Sequence, residues 1–301
     1  MNFLIDNLDF ELQKKPSLAI IQIKDAKKKL VFSNLDIRPI EDTTKPKIIA
    51  YIDGGNLAFV DTGIQRLDLL RVAYSIWQGK KHIETKSQTI QALVQEDKII
   101  FSDDTNSKAP KNMALEDRAN YARQTREYKL ALDLLEDKNI DVIAIDGSVE
   151  LSQKKPGLLK DLLEKGKEKN IQIIGLSKTN SFSTDTGAPL SYILKDHMRE
   201  KSYINLYSEK NYEISMVKFH KDSPYTLKLD SNQPLTNIYS QLSLNSNDAL
   251  FLGYPYGFVK VDEYARVTKQ EIIQEKNALP KNIQKLIAHN ELHEKLDTKK
   301  F

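Results

Sequence analysis

The sequence predicts an α/β fold with a mixed sheet that is flanked by helices, together with additional α+β segments. Two apolar runs, residues 48–55 and 140–148, each contain Asp-Gly followed by a small residue. A segment with helical periodicity, roughly 114–137, lies between them, and a strand, a helix and a strand follow. The front half has connections too short for parallel crossovers, so it predicts an antiparallel meander.

The front half predicts short elements that are separated by turn residues. The first apolar run predicts a buried strand that ends at Asp53. Lys27-Lys28-Lys29 indicates a turn within residues 1–45, and Asp61-Thr62-Gly63 indicates another. The other predicted elements are a short helix and small strands in 1–45, two strands in 56–78, an extended segment in 83–101 and a loop in 102–112.

The second half predicts parallel strands. Apolar residues recur at helical spacing in 114–137, and the strand that follows ends at Asp146. A helix opened by Pro156 and a strand over 171–176 complete a strand, helix, strand unit, which places parallel neighbours side by side. A meander followed by such units is the order of the ribonuclease H-like fold. More strands are predicted in 203–230 and a charged helix from about 270.

Composition excludes several classes of site. The chain has no cysteine, which removes disulfides, zinc-thiolate sites and cysteine nucleophiles and fits a cytoplasmic location. Its five histidines form no zinc-like pattern. No apolar run approaches the roughly 18 residues of a membrane span, so no membrane partner is expected. The net charge of +3 neither requires nor excludes nucleic acid.

Two aspartates are the first candidate site residues. Asp53 and Asp146 each follow an apolar run and precede glycine. A carboxylate at the end of a buried strand is costly without a partner, and a divalent cation would serve two neighbouring carboxylates. The alternative is that each Asp-Gly only forms a turn, which these residues favour.

Glu127 is the third candidate. It precedes Leu130, Ala131 and Leu134 by three, four and seven residues, which places it on the apolar stripe of its helix. A metal shared with the two aspartates would explain a charge there. The alternatives are an ion pair with Arg123, four residues earlier, or a side chain that reaches solvent from the edge of the stripe.

Three carboxylates suit Mg²⁺ or Mn²⁺, which prefer oxygen ligands. Two such ions about 4 Å apart can activate water and stabilise a leaving oxygen in phosphodiester hydrolysis.

Several ordered segments resemble the NurA nuclease family, the archaeal and bacterial nucleases that process DNA ends with a ribonuclease H-like fold. These segments span most of residues 48–270. They are Tyr51-Ile52-Asp53-Gly54-Gly55, the helical Arg126-Glu127, Ala144-Ile145-Asp146-Gly147-Ser148, Gly175-Leu176-Ser177-Lys178-Thr179 and Gly253-Tyr254-Pro255-Tyr256.

The resemblance implies roles for individual residues. Asp53, Glu127 and Asp146 would be metal ligands, and Lys178 would face the site and contact a phosphate. Asp262 lies near a position where family members often carry a histidine or an acid. The alternative for Lys178 and for Asp262 is an ordinary exposed surface residue.

The resemblance also implies an activity and partners. The chain would be a metal-dependent DNA nuclease, an exonuclease or an endonuclease, that acts on double-strand break ends. It would form a homodimer and work with a HerA-type hexameric ATPase. The domains would be an N-terminal extension in 1–45, a NurA-like nuclease domain in 46–270 and a charged helical tail in 271–301. The rival functions are an inactive DNA-binding or scaffold subunit and a ribonuclease H-like phosphotransferase or RNA nuclease.

Overall fold

Eleven strands form one mixed sheet in the computed structural model, which describes residues 16–23, 26–137, 139–179, 181–209, 212–285 and 287–289. Three more strands of these ranges form a small antiparallel sheet. The strands are β1 (Leu18–Ile23), β2 (Ala26–Val31), β3 (Arg38–Pro39), β4 (Ile48–Asp61), β5 (Gln65–Gln78), β6 (Lys81–Gln95), β7 (Lys98–Phe101), β8 (Asn106–Lys108), β9 (Val142–Asp146), β10 (Gln172–Ser177), β11 (Ser183–Thr184), β12 (Ser202–Glu209), β13 (Tyr212–Lys218) and β14 (Leu227–Ser231). The helices are α1 (Leu115–Asp137), α2 (Leu158–Glu168), α3 (Leu190–His197), α4 (Ile238–Leu244), α5 (Tyr256–Ala265) and α6 (Lys269–Ala278).

The order of the large sheet is β3-β12-β13-β14-β10-β9-β4-β5-β6-β7-β8. Strands β4 to β8 form the antiparallel meander expected from the sequence. Strand β9 lies parallel to both β4 and β10, and α2 connects β9 with β10. This mixed sheet is a ribonuclease H-like arrangement, as the sequence predicted.

Helices cover both faces of the sheet, because successive residues of a strand point to opposite faces. Ala50 and Ile52 of β4 belong to the core formed with α1 and α2. Ile49 and Tyr51 belong to the core formed with α4 and α5. The central strands are therefore buried on both sides, as their nearly continuous apolar sequence requires.

One strand boundary was predicted wrongly. Strand β4 does not end at Asp53 but continues to Asp61, so Asp53-Gly54 is not a turn. Pairing with β5 continues through this region, with Asp53 opposite Ala73 and Gly55 opposite Arg71. These ladder hydrogen bonds outweigh the local turn preference of Asp-Gly. The turn expected at residues 61–63 is present, with Gly63 at a φ of 77°.

The N-terminal segment also differs from the prediction. Lys27-Lys28-Lys29 lies within β2 rather than at a turn, because β2 pairs with β1 along its whole length. The short helix predicted in 1–45 has a described counterpart only in the 3-10 turn Phe32–Asn34, and residues 1–15 lie outside the described ranges. The loop predicted in 102–112 contains β8, which extends the meander by one short strand.

The predicted tail begins inside a helix that packs on the sheet. Helix α6 starts at Lys269, and its Ile272 is buried with Phe59 and Leu69 of the meander. The proposed boundaries at 45/46 and 270/271 stay predictions. No helix within the described ranges is long and apolar enough to cross a membrane.

Candidate active site

The parallel pairing of β4 with β9 brings two aspartates together. The last paired residues are Ile52 and Ile145, and the next residue on each strand is Asp53 or Asp146. Asp53 is only 8% exposed, whereas the side chain of Asp146 is 21% exposed. The pair predicted from the two apolar runs is therefore present, although only Asp146 ends its strand.

Glu127 reaches this pair from the opposite face of the sheet. It lies on α1 and is 2% exposed. Asp53 lies two residues after Tyr51 on β4 and so points to the same face as Tyr51, which is the face of α5. A Cβ atom at Gly54 would lie 2.6 Å from Glu127 Oε1. The absent side chain at Gly54 therefore leaves the space through which Glu127 approaches the strand.

Arg123 neutralises Glu127 in the structure. The two side chains form an ion pair one helical turn apart, and Arg123 Nη1 also donates to the Gly54 carbonyl oxygen at 3.1 Å. The ion pair that the sequence offered as an alternative explanation for Glu127 is thus present. Its presence does not separate Glu127 from the aspartates, because the same arginine holds the carboxylate beside Gly54.

The three carboxylates repel one another. Burial, together with the charges of Glu127 and Asp146, raises the pKa of Asp53 to about 8. The Gly54 N–H, which donates to Asp53 Oδ1 at 2.7 Å, acts in the opposite direction. Burial also raises the pKa of Glu127 above its ordinary value, against the lowering effect of Arg123. A low-dielectric site with three carboxylates calls for added positive charge.

The donor set fits a divalent cation, although the side chains do not already form a coordination shell. No three acidic or histidine side chains in the described ranges are grouped closely enough to hold one ion as they stand. Glu127 turns to Arg123, and Asp146 turns to Lys178. Carboxylate oxygens are nonetheless the ligands that Mg²⁺ and Mn²⁺ prefer, and these side chains would have to turn from their present partners to bind one ion.

Lys178 and Tyr254 line the open side of the site. Lys178 follows β10, and its Nζ lies 3.2 Å from Asp146 Oδ2 and 4.9 Å from the centre of the Tyr254 ring. The Tyr254 hydroxyl is buried without a hydrogen-bond partner among the described residues. Burial raises the pKa of Tyr254, and the charges of Asp146 and Asp53 raise it further. Tyr254 therefore carries a donor beside the carboxylates.

The sequence motif around Tyr254 was recognised, but no role for this residue was predicted. Asp262, which was predicted, lies on α5 and pairs with Arg266 at 2.9 Å. Its side chain is about half exposed, and it lines the same cavity as Lys178 and Tyr254. The structure thus places Asp262 at the rim of the site and outside the three-carboxylate group.

Another buried aspartate, Asp230, holds the loop that follows Asp146. Asp230 of β14 is fully buried, and its Oδ2 accepts hydrogen bonds from Ser148 Oγ at 2.6 Å, Val149 N at 3.1 Å and Tyr212 Oη at 2.6 Å. These contacts fix the loop that begins directly after Asp146. A single aspartate in an alternating strand gives no sequence signal for this role, because its partners are distant in the chain.

Comparisons with known proteins show a similarity of fold. No family model matches the chain, and no curated protein sequence matches it. Among solved structures, the NurA nuclease from Sulfolobus solfataricus matches with a TM-score of 0.57 and 13% identity, over 92% of this chain and 93% of that chain. A second NurA structure matches with a TM-score of 0.52 and 10% identity, over 94% and 95% of the two chains.

A third structure is NurA bound to dAMP and manganese. It matches with a TM-score of 0.50 and 9% identity, over 81% of this chain and 90% of that chain. These three similarities are similarities of fold at low sequence identity. Over more than nine-tenths of its length, this chain has the fold of NurA nucleases.

Proposed function

We propose that this protein is a metal-dependent nuclease that hydrolyses phosphodiester bonds in DNA. The observation that carries the proposal is the pairing of β4 with β9, which sets Asp53 beside Asp146. Glu127 adds a third carboxylate, itself buried, next to Gly54. The alternative interpretation, in which Asp53 and Asp146 only form turns, does not explain why a third acid is buried next to them. Glu127 is that acid, and Arg123 pairs with it on the other face of the sheet.

Asp53, Glu127 and Asp146 would hold the metal. When bound, Mg²⁺ or Mn²⁺ lowers the pKa of water and stabilises the leaving oxygen of a phosphodiester. Lys178, whose side chain is half exposed, can move its ammonium group from Asp146 to a phosphate oxygen. The Tyr254 hydroxyl, which is buried and has no partner among the described residues, is a second donor that a movement of its side chain would bring to the same phosphate. Arg123 holds Glu127 in place throughout.

The fold similarity supports the choice of DNA and of a divalent metal. One NurA structure contains dAMP and manganese, and this chain presents carboxylates where its own β4 and β9 meet. By the same similarity we propose a role in processing DNA double-strand break ends, a homodimer and a HerA-type hexameric ATPase partner. Asp262, at the rim of the site, is proposed to act on substrate position rather than on metal binding.

The test is cleavage of labelled single-stranded DNA, double-stranded DNA and RNA by the purified protein, with Mn²⁺ or with a chelator. Metal-dependent DNA products are expected from the wild type, and their loss is expected in Asp53→Asn. The matched control is Asp161→Asn, an exposed aspartate of α2. If only RNA were cleaved, the protein would be an RNA nuclease rather than a DNA nuclease. If DNA were bound but not cleaved with any metal, the protein would be an inactive DNA-binding or scaffold subunit.

A further inference from the structure

A cavity of about 660 Å³ opens beside the carboxylates. Its lining includes Lys178, which pairs with Asp146, and Tyr254, whose ring lies 4.9 Å from the Lys178 ammonium group. Four more aromatic side chains line its walls: Tyr225, Phe251, Tyr256 and Phe258. The volume lies within the range of roughly 300–1,000 Å³ that is typical of small-molecule sites. The aromatic content distinguishes this cavity from an ordinary gap between surface loops.

We propose that this cavity binds one unpaired nucleobase of the strand whose phosphate lies at the carboxylates. This proposal rests on the proposed function, because the proposed nuclease site defines where the phosphate lies. Aromatic side chains bind bases by stacking, and stacking tolerates every base because each has a π-face. A base in such a cavity has left its duplex partner. The expected substrate is therefore a single strand or a frayed DNA end.

The walls are held in place before any ligand arrives. The Tyr256 ring packs edge-on against Trp77, with ring centres 5.7 Å apart. The Tyr225 backbone N–H and carbonyl both interact with Ser223 Oγ, at 3.4 Å and 2.9 Å. Preformed walls reduce the entropy lost when a base is bound.

Phe251 is the most exposed of the aromatic residues that line the cavity. It is 41% exposed, although its backbone N–H is held by Asp248 Oδ1 at 3.3 Å in an ordered turn. The neighbouring Leu250 is 87% exposed, so two adjacent apolar side chains lie at the surface here, and contiguous exposed apolar surface is typical of binding sites. Stacking on a base would remove the Phe251 ring from water.

The charges at the cavity agree with a neutral base attached to a charged backbone. Lys178 pairs with Asp146 next to the expected phosphate, and its half-exposed side chain is free to move to a phosphate oxygen. The other charged side chains that line the cavity are Asp262, Glu263 and Arg266. They are already paired, Asp262 with Arg266 and Glu263 with Lys260. The remaining lining residues are apolar or aromatic. A nucleotide whose phosphate lies at Lys178 can therefore place its base against uncharged walls.

The test measures binding of a short single-stranded DNA that contains 2-aminopurine, whose fluorescence falls when the base stacks. The measurement is made with a chelator, so that it needs no cleavage. Phe251→Ala is expected to weaken binding about 10-fold and to restore part of the fluorescence, whereas Phe251→Tyr keeps both. The control is Tyr264→Ala, because Tyr264 is an exposed aromatic residue of α5 outside the cavity.

A second arm replaces the 2-aminopurine nucleotide with an abasic one. The wild type is expected to lose affinity for the abasic strand, and Phe251→Ala is expected to show little further loss. Equal weakening of both strands by Phe251→Ala, or no weakening, would overturn the base site. A change in oligomeric state in Phe251→Ala with unchanged DNA affinity would overturn it in favour of contact with a second copy. Cleavage assays on the same preparations test the proposed nuclease function separately.

Discussion

Arg123 and Glu127 form an ion pair on α1 that lies directly over the backbone of Gly54. The same guanidinium donates to the Gly54 carbonyl oxygen, and the charges of Asp53 and Asp146 add to the stabilisation of its protonated form. Arg123 and Lys178 therefore supply positive charge to this group, Arg123 at Glu127 and Lys178 at Asp146. Arg123 both neutralises Glu127 and fixes the position of α1 relative to β4.

Glu127→Gln tests whether this carboxylate does more than pair with Arg123. The amide keeps the shape and helix propensity of the side chain but is a poorer ligand for a hard cation. We expect cleavage to fall by more than about 100-fold, since even outer partners of metal ligands contribute 10- to 100-fold. The free energy of unfolding should also fall, by less than the about 3–5 kcal/mol of a fully buried pair, because the partly exposed Arg123 loses its partner.

The control for Glu127→Gln is Asp103→Asn. Asp103 pairs with Arg126 of the same helix at 2.6 Å but takes no part in the carboxylate group. It should lower stability with cleavage unchanged. If Glu127→Gln likewise lost stability and kept full cleavage, the site would be reduced to the two aspartates.

Gly54→Ala tests the approach of Glu127 to β4. The added Cβ would lie 2.6 Å from Glu127 Oε1 and 3.0 Å from Arg123 Cγ, so the helix or the side chain must move. We expect a loss of about 1–3 kcal/mol in the free energy of unfolding and a larger loss of cleavage than stability alone explains. Urea unfolding and cleavage rates on one preparation measure both.

Gly157→Ala is the matched substitution, because nothing lies within 4 Å of a Cβ at that position. It should leave both stability and cleavage near the wild-type values. Equal behaviour of the two alanine variants would show that Glu127 does not depend on the space at Gly54.

The sequence predicted the central architecture because long apolar runs and helical periodicity report burial directly. It placed Asp53 and Asp146 at adjacent strands and Glu127 on the inner face of α1. It misplaced the end of β4, since pairing with β5 through Gly55 is a contact between distant residues that local turn preference does not reveal.

Residues that act through distant contacts were not predicted. Asp230 holds the loop after Asp146 across 82 positions of the chain, and Tyr254 approaches the carboxylates only once α5 packs on the sheet. Neither side chain has a periodicity or a local partner that marks it. The three carboxylates could be predicted because each lies in a patterned element, whereas the groups around them follow from tertiary packing.

Glu271→Gln gives a pH-dependent change in stability away from the site. Glu271 forms a capping box with Thr268 at the start of α6, and its Oε1 lies 2.5 Å from Arg71 Nη2. The hydrogen bond from Arg71 is the main cause that lowers the pKa of Glu271 to about 2. Glutamine keeps the cap but loses the charge, so we expect a loss of about 1 kcal/mol at neutral pH.

The sign of the pH dependence follows from the lowered pKa of Glu271. The stabilising contribution is present above about pH 4.5, the ordinary value, and is lost as the pH falls toward 2. Unfolding in urea at several pH values should therefore show the wild type and Glu271→Gln converging in that window. Glu164→Gln, at an exposed pair with Lys160, should show no comparable difference, and a Glu271→Gln gap that stays constant with pH would contradict the assignment.

Asp53→Asn should raise the melting temperature of the metal-free protein at neutral pH and abolish the further rise caused by Mn²⁺. Removing one of three mutually repelling carboxyl groups from a buried position is expected to raise the melting temperature of the metal-free protein. Millimolar Mn²⁺ should raise the melting temperature of the wild type, because a ligand that binds only the folded state stabilises it. The same addition should leave Asp53→Asn nearly unchanged. Differential scanning fluorimetry with chelator and with Mn²⁺ measures both effects, and a manganese shift of equal size in the two proteins would place the metal elsewhere.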